Sequence, residues 1–236
     1  MKKKLELPFI NVRDLVMFPK MTQELYIGRE QTISSIQYAL AIGNKKVLVL
    51  TQKKFETLQP KGLRDMYSLG TICSVEGSVL LQDGTMKAML TGESLVLVKT
   101  ISRREGVPFA QGLAIKAKPS SEKSIRSDER LSVLELLVKA KPFASLDEDA
   151  TWFEDLKNER KLCEFIENIQ MNLNYSKTSI QQAKWRPMKM TSKKQEVQLV
   201  NSKIKIQQKL LAEMNLNKKM KVLEEYLKFE IRTTCS

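Results

Sequence analysis

The sequence predicts an α+β protein in which a small closed or half-closed β-barrel with one helix precedes an α-helical bundle. Several short strand-like runs recur at regular spacing in the first half of the chain, with one helical stretch among them. From residue 119 onward one helix-like stretch follows another, and this part of the chain contains no glycine. We therefore predict a β-rich subdomain over residues 1–118 and a helical subdomain over residues 119–236.

Short apolar runs rich in β-branched residues indicate the strands of the first subdomain. The Val-Leu-Val-Leu run at residues 47–50 is typical of a strand that is buried on both faces. Asp83-Gly84 lies between two such runs and predicts a hairpin with a type I′ turn, because that turn requires positive φ at both central residues. The predicted strands are residues 8–12, 24–27, 47–50, 70–75, 79–81, 86–90, 95–98 and 110–115.

One amphipathic helix is predicted between the second and third strands. Apolar residues at helical spacing predict its buried face, which consists of Ile33, Ile36, Leu40 and Ala41. Gly43-Asn44 follows and is expected to end the helix, because both residue types adopt positive φ readily.

Three apolar faces at helical spacing predict the bundle of the second subdomain, and Pro142 and Pro187 mark loops between helices. The last face is close to a heptad stripe. We expect its early residues to pack on the bundle, and its end, from Leu227 through Ile231, to be frayed or to self-associate. The three faces are Leu131, Leu134, Leu137 and Val138; Leu162, Phe165, Ile166 and Ile169; and Leu216, Met220, Leu223, Leu227 and Ile231.

The composition argues against most catalytic and metal-binding functions. The chain has no histidine, and its 3 cysteines are too far apart for a disulfide framework or a metal site. It contains no phosphate-binding loop, no dinucleotide fingerprint and no G-x-S-x-G elbow. We therefore predict no catalytic residues, no cofactor and no bound metal.

The charge and hydropathy patterns restrict the partners and the cellular location. The net charge is +13, and the basic excess lies in residues 1–118 and 183–236, whereas residues 119–182 are slightly acidic. Such basic ends leave open a nucleic-acid-binding module, although no nucleic-acid motif accompanies them. The sequence has neither a membrane-length apolar run nor an apolar secretory signal at its start. We therefore predict a cytoplasmic protein without a membrane partner.

An ordered series of short motifs carries a resemblance to a known family. Residues 7–21 read Leu-Pro-Phe-Ile-Asn-Val-Arg-Asp-Leu-Val-Met-Phe-Pro-Lys-Met. The series continues with Leu25-Tyr26-Ile27-Gly28-Arg29-Glu30, the strand at residues 45–53, Tyr67-Ser68-Leu69-Gly70-Thr71-Ile72, Leu81-Gln82-Asp83-Gly84-Thr85-Met86-Lys87, Gln207-Gln208-Lys209-Leu210-Leu211 and Leu216-Asn217-Lys218-Lys219-Met220. Over about residues 5–231 the chain resembles the amino-terminal domain of Lon-type ATP-dependent proteases.

The resemblance implies a PUA-like pseudo-barrel followed by a helical bundle, without the ATPase and the Ser-Lys peptidase of the full-length family. It also implies a domain that binds unfolded or damaged proteins and supports association with sister subunits or a Lon ATPase partner. Three departures from the family pattern are visible. Arginines usually follow Gly92 but are absent from residues 93–98, residues 139–161 are longer than usual, and the expected continuation after Ser236 is missing.

A binding patch for unfolded proteins is predicted at Met17, Phe18 and Met21, because methionine adapts its shape to varied apolar partners. Leu227 and Ile231 are the predicted self-association residues. Two alternatives remain open beside this function. The chain could be a truncated remnant or fragment of a Lon protease with no independent role, or a basic nucleic-acid-binding module.

Overall fold

The structure is a computed structural model that describes residues 4–42, 44–115, 133, 136 and 193–234. The chain divides into two compact units, Met1–Ala117 and Lys118–Ser236, and each unit is described by itself. Unit 1 contains β1 (Lys4–Val12), β2 (Thr22–Ile27), α1 (Glu30–Ala41), β3 (Lys46–Thr51), β4 (Leu69–Leu80), β5 (Met86–Arg104) and β6 (Val107–Ile115). The described part of unit 2 contains α2 (Lys193–Ala212) and α3 (Leu216–Thr234).

The strands of unit 1 form a barrel that closes through its longest strand. The 6-stranded sheet has the order β2-β5-β4-β3-β1-β6, and β5 also pairs with β6. This is possible because β5 is 19 residues long, so that its first part pairs with β2 and its last part with β6. Among the described strands, β1 and β3 are the one parallel pair. The predicted small barrel with one helix is confirmed.

The barrel core consists of side chains from several strands. β3 is buried at every position from Val47 to Thr51, as predicted from its uninterrupted apolar run. Cys73 on β4 is fully buried, and burial raises the pKa of its thiol, so Cys73 is an inert core residue. One core cluster consists of Phe9, Leu48, Leu50, Met66, Ile72, Val96, Val98 and Ala110.

Most side chains in the loop of residues 15–21 are buried, and the prediction of an exposed patch there is wrong. Met17, Phe18 and Met21 are each only 2% exposed. Two buried threonines, Thr51 at the end of β3 and Thr71 on β4, hold the loop. The Thr51 hydroxyl donates to the carbonyl of Leu15 at 2.7 Å, and the Thr71 hydroxyl donates to the carbonyl of Met17 at 2.6 Å.

Helix α1 buries a different face from the one predicted. Ile36 is buried as expected, but Ile33 and Leu40 are not, and Ala41 is exposed. The helix lies against β1, where the buried Ser35 hydroxyl donates to the carbonyl of Phe9 at 2.8 Å. Small residues allow this close approach, so the buried face consists of Thr32, Ser35, Ile36 and Ala39.

Both hairpins of β5 are tight, but they use different turns. β4 and β5 are antiparallel around Asp83-Gly84, as predicted, yet only Gly84 has positive φ there. The amide of Gly84 donates to the carbonyl of Leu81, which is the pattern of a type I turn followed by a glycine in the left-handed region. The predicted type I′ turn is therefore wrong at this position. Positive φ at two successive residues occurs instead at Glu105 (50°) and Gly106 (84°), between β5 and β6.

Helices α2 and α3 form an antiparallel hairpin with a short connection. The side-chain amide of Gln207 donates to the Tyr226 hydroxyl at 3.4 Å, and Lys209 pairs with Glu225 at 3.2 Å. Asn215 begins α3 as its N-cap, because its side-chain oxygen accepts a hydrogen bond from the amide of Lys218 at 3.0 Å. Among the described residues, no helix is long and apolar enough to cross a membrane.

The apolar stripe of α3 is buried further along the helix than predicted. Met220 and Leu223 are 0% exposed, which agrees with packing of the early residues. Leu227 is 1% exposed and lies within a helix that continues to Thr234, so the expectation that the helix frays from Leu227 is wrong. Ile231 is partly buried. The predicted faces at residues 131–138 and 162–169 and the two proline loops lie outside the described residues, except that Val133 and Leu136 are helical.

Candidate functional site

Strand β2 has one edge that no other described strand covers. Within the described part of the chain it pairs only with β5, and the amide of Gly92 donates to the carbonyl of Met21 at 2.8 Å just before β2 begins. Because backbone groups alternate in direction along a strand, Thr22, Glu24 and Tyr26 present their N–H and C=O groups to the uncovered side. An edge of this kind can accept a further strand.

The outer face beside this edge carries exposed apolar side chains around one ion pair. Val79 of β4 lies opposite Lys87 of β5, which lies opposite Tyr26 of β2, so the three side chains share one face. Met89, two residues after Lys87, lies on the same face. Tyr26 is 66% exposed, Val79 is 61% exposed and Met89 is 37% exposed. We call Tyr26, Val79 and Met89 the outer apolar face.

An ion pair lies across the outer apolar face and holds two of its strands in register. The ammonium of Lys87 is 2.9 Å from a carboxylate oxygen of Glu24 and 5.7 Å from the centre of the Tyr26 ring. The hydrogen bond from Lys87 lowers the pKa of Glu24, so this carboxylate stays ionised at neutral pH. Leu80, at the tip of the β4–β5 hairpin, is also exposed, but it lies opposite Met86 and therefore on the other face of the sheet.

A second surface feature is a groove of about 870 Å³ beside the first turn of α1. Its walls come from β1, from the start of α1, from residues 58–61 and from the end of β5. Four cations line it, namely Arg13, Arg29, Lys61 and Arg103, whereas Glu30 is the one acidic residue that the described chain contributes to the lining. We call this feature the arginine groove.

A buried glutamine anchors one wall of the arginine groove. Gln52 is 0% exposed, and its side-chain amide donates to the carbonyls of Lys54 at 2.8 Å and Thr57 at 2.9 Å. Its side-chain oxygen accepts a hydrogen bond from a terminal nitrogen of Arg29 at 3.4 Å. Gln52 therefore holds both the loop after β3 and one arm of Arg29.

Arg13 and Arg29 each have one hydrogen-bond donor that is not satisfied. Nε of Arg13 and Nη1 of Arg29 are buried and have no hydrogen-bond partner within the described part of the chain. Burial lowers the pKa of Arg29, and the nearby charge of Arg13 lowers it further. The guanidinium of Arg13 lies over the Phe55 ring, 5.9 Å from its centre. Among the described residues, no group of acidic or cysteine side chains is arranged to hold a metal ion.

The predicted and observed surface residues differ. Met17, Phe18 and Met21, which we predicted as an exposed binding patch, are buried. The outer apolar face and the arginine groove were not predicted. The exposure of Tyr26 could have been predicted from the Glu-Leu-Tyr-Ile run of β2. Side chains alternate along a strand, so Tyr26 lies on the face opposite to the buried Ile27.

The comparisons with known proteins identify the class of this chain. The family model of the ATP-dependent protease La (LON) substrate-binding domain matches residues 6–228. The chain therefore belongs to the Lon substrate-binding domain family, and the predicted resemblance is confirmed.

Curated relatives match the chain over about half its length. The Lon protease of Xanthomonas oryzae pv. oryzae is 32% identical over 118 residues, which are 50% of this chain and 14% of that protein. The Lon protease of Escherichia coli strain K12 is 31% identical over 100 residues, which are 42% of this chain and 12% of that protein. The matched part is thus a small fraction of the relatives' own length.

Solved structures support the fold across the chain. The N-terminal domain of Mycobacterium avium complex Lon protease aligns with a TM-score of 0.56 and 13% identity, covering 95% of this chain and 98% of that one. The Lon N-terminal domain protein from Xanthomonas campestris aligns with a TM-score of 0.50 and 14% identity, covering 94% and 98%. These similarities confirm the predicted α+β architecture.

Proposed function

We propose that this chain is a non-catalytic Lon amino-terminal domain that binds unfolded or damaged polypeptides for ATP-dependent proteolysis and supports subunit association. The observation that carries the binding proposal is the outer apolar face beside the uncovered edge of β2. The family to which the chain belongs is described as substrate-binding, which agrees with such a surface.

The two features of this surface complement each other. A strand added to β2 would gain main-chain hydrogen bonds, which do not depend on the sequence of the bound segment. Apolar side chains of that segment would cover Tyr26 and Val79, and this removes apolar area from water. A binding site built in this way selects unfolded chains, because a folded protein rarely offers an extended apolar segment.

The binding proposal predicts that the outer apolar face determines the affinity for a short, uncharged, labelled peptide with alternating apolar and polar residues. The double variant Tyr26→Thr/Val79→Thr keeps β-forming residues but removes most of the apolar area. We expect it to bind the peptide at least about tenfold more weakly, because burial of one large apolar side chain contributes roughly 1.5–3 kcal/mol. Fluorescence anisotropy measures this change.

Two further variants separate binding through the outer apolar face from general surface hydrophobicity and from binding through the backbone of β2. Ile42→Thr removes an apolar side chain that is 49% exposed at the end of α1, and should leave the affinity unchanged. Thr22→Pro removes an amide on the uncovered edge of β2 and should weaken binding without unfolding the domain, since proline is tolerated on strand edges. Equal affinities for all variants would contradict the proposal. A steep loss of affinity with salt would instead favour the nucleic-acid alternative.

The proposal also predicts that the chain by itself has no ATPase and no peptidase activity. The sequence holds no phosphate-binding loop, and residues 6–228 match a substrate-binding domain, so the purified chain should neither hydrolyse ATP nor cleave casein. A coupled phosphate-release assay and gel analysis of casein measure both activities. ATP turnover that stays with the monomeric chain through successive purification steps would disprove this prediction.

Subunit association is assigned to the end of α3. Ile231 keeps part of its side chain accessible, whereas Leu227 is 1% exposed. We therefore propose that Ile231 contributes to self-association. Leu227, in contrast, mainly stabilises its own unit through packing.

A further inference from the structure

The arginine groove is not needed for binding an apolar segment, and its chemistry indicates a different group. Arg13 and Arg29 each have a buried nitrogen without a hydrogen-bond partner in the described structure. A buried donor that is left unpaired costs free energy, and the cost is larger when the donor carries charge. Both guanidinium groups line the arginine groove, so an acceptor supplied by a bound molecule would be favoured there.

The charge balance of the groove indicates that this acceptor is an anion. Within the described residues, no ion pair links any of its four cations to an acidic side chain. Glu30 and Asp14 lie at the groove and at the neighbouring cleft, but both are exposed to water. Guanidinium groups present parallel N–H donors that match the two oxygens of a carboxylate.

The first turn of α1 strengthens this anion preference. Arg29 is the N-cap residue of a 12-residue helix, and its side chain does not cap the first amides. Glu30, Gln31 and Thr32 line the groove, so the positive end of the helix dipole faces the same space as the arginines.

A smaller cleft connects the arginines to the uncovered edge of β2. Its volume is about 420 Å³, and both Arg13 and Arg29 line it. Leu25, Tyr26 and Ile27, the last residues of β2, line the same cleft. A chain that adds parallel to β2 would therefore bring side chains near its carboxyl end to the arginines.

We infer that Arg13 and Arg29 bind a side-chain carboxylate of an extended polypeptide that adds parallel to β2, so that the domain prefers apolar segments that are followed by an acidic residue. This inference rests on the proposed function, because it requires a chain on the edge of β2. It adds a chemical preference to a surface that would otherwise accept any apolar segment.

The test compares two peptides that differ only in one group. The first is the uncharged alternating peptide, amidated at its end, and the second carries Glu in place of Gln near that end. The wild-type chain should bind the acidic peptide about tenfold more tightly, because hydrogen bonds between charged groups are stronger than those between neutral groups. Arg13→Gln and Arg29→Gln should each remove most of that difference without changing the affinity for the uncharged peptide.

Controls separate the groove from general charge and from misfolding. Arg104→Gln removes the same charge from a residue that pairs with Glu6 outside the groove, and should keep the preference for the acidic peptide. Arg29→Lys keeps the charge but not the fork of donors, and should lose part of the preference. Circular dichroism verifies the fold of each variant, and Arg13→Gln tests the inference even where Arg29→Gln unfolds, because the hydrogen bond to the buried Gln52 comes from Arg29.

The outcomes distinguish the inference from the proposed function. Equal binding of the two peptides to the wild type overturns the inference and leaves the proposed function intact. Binding of the acidic peptide alone, with no affinity for the uncharged one, overturns the proposed apolar site but supports the groove. A preference that survives Arg13→Gln overturns the inference. Tighter binding of a single-stranded oligonucleotide than of the acidic peptide also overturns it, because the groove would then serve phosphates.

Discussion

Replacing Gly92 with alanine is expected to destabilise unit 1 by about 3 kcal/mol or more. A Cβ at position 92 would lie 2.1 Å from the carbonyl oxygen of Phe18 and 3.0 Å from its carbonyl carbon. Both atoms belong to the backbone, so no flexible side chain can move away. The loop of residues 15–21 would have to shift instead.

The loop cannot shift without losing further interactions. The amide of Lys20 donates to the carbonyl of Gly92 at 2.7 Å, and the amide of Gly92 donates to the carbonyl of Met21 at 2.8 Å. The same displacement would expose Met17 and Phe18, which are both buried. The loss of their burial adds to the steric cost.

Urea denaturation monitored by circular dichroism measures the effect, since the midpoint falls with stability. Gly77→Ala is the matched control, because an added Cβ there meets nothing within 4 Å. That control should change stability by about 1 kcal/mol or less, and a gain is expected since alanine restricts the unfolded chain. Equal midpoints for the two variants would show that the loop is not fixed on Gly92.

The loop of residues 15–21 shows why part of the core was not predictable from the sequence. Its Met and Phe side chains next to Pro19 are equally consistent with an exposed binding patch and with a buried loop. The burial depends on Thr51 and Thr71, whose hydroxyls donate to loop carbonyls 36 and 54 residues away in the chain. No local pattern specifies such long-range partners.

Features determined by local chemistry were predicted more successfully. The uninterrupted apolar run of β3 required burial on both faces, and the Asp-Gly pair required a tight connection between β4 and β5. The turn type depended on one further residue, because the carbonyl of Leu81 accepts the amide of Gly84 and leaves only Gly84 with positive φ. The buried face of α1 depended on its distance from β1, which favours Ser35 over a larger apolar residue.

The candidate sites depend on strand register, which the sequence does not specify alone. Tyr26, Lys87 and Val79 form one row only because β2, β5 and β4 pair in this register, with an irregularity between Val75 and Gly77. A shift of one residue in any strand would move its side chain to the opposite face. The arginine groove likewise combines residues from β1, α1 and the end of β5, which are far apart in the sequence.

The second large effect is expected in α3, where Leu223→Ala should lower the free energy of unfolding by about 2–5 kcal/mol. Leu223 is 0% exposed and belongs to the stripe that α3 buries, so the substitution leaves a cavity. Leu227→Ala should have an effect in the same range, because Leu227 is only 1% exposed. Thermal and urea denaturation measure both variants.

Ile231→Ala is the contrasting variant on the same helix. Ile231 is only partly buried, so its replacement should cost about 1 kcal/mol or less of stability. If Ile231 contacts a sister chain, Ile231→Ala should lower the apparent mass in sedimentation velocity at high protein concentration. Leu223→Ala should instead act mainly by lowering the free energy of unfolding. Equal destabilisation by Leu223→Ala and Ile231→Ala, with a monomer at every concentration, would show that the whole stripe is ordinary core and that α3 offers no surface for association.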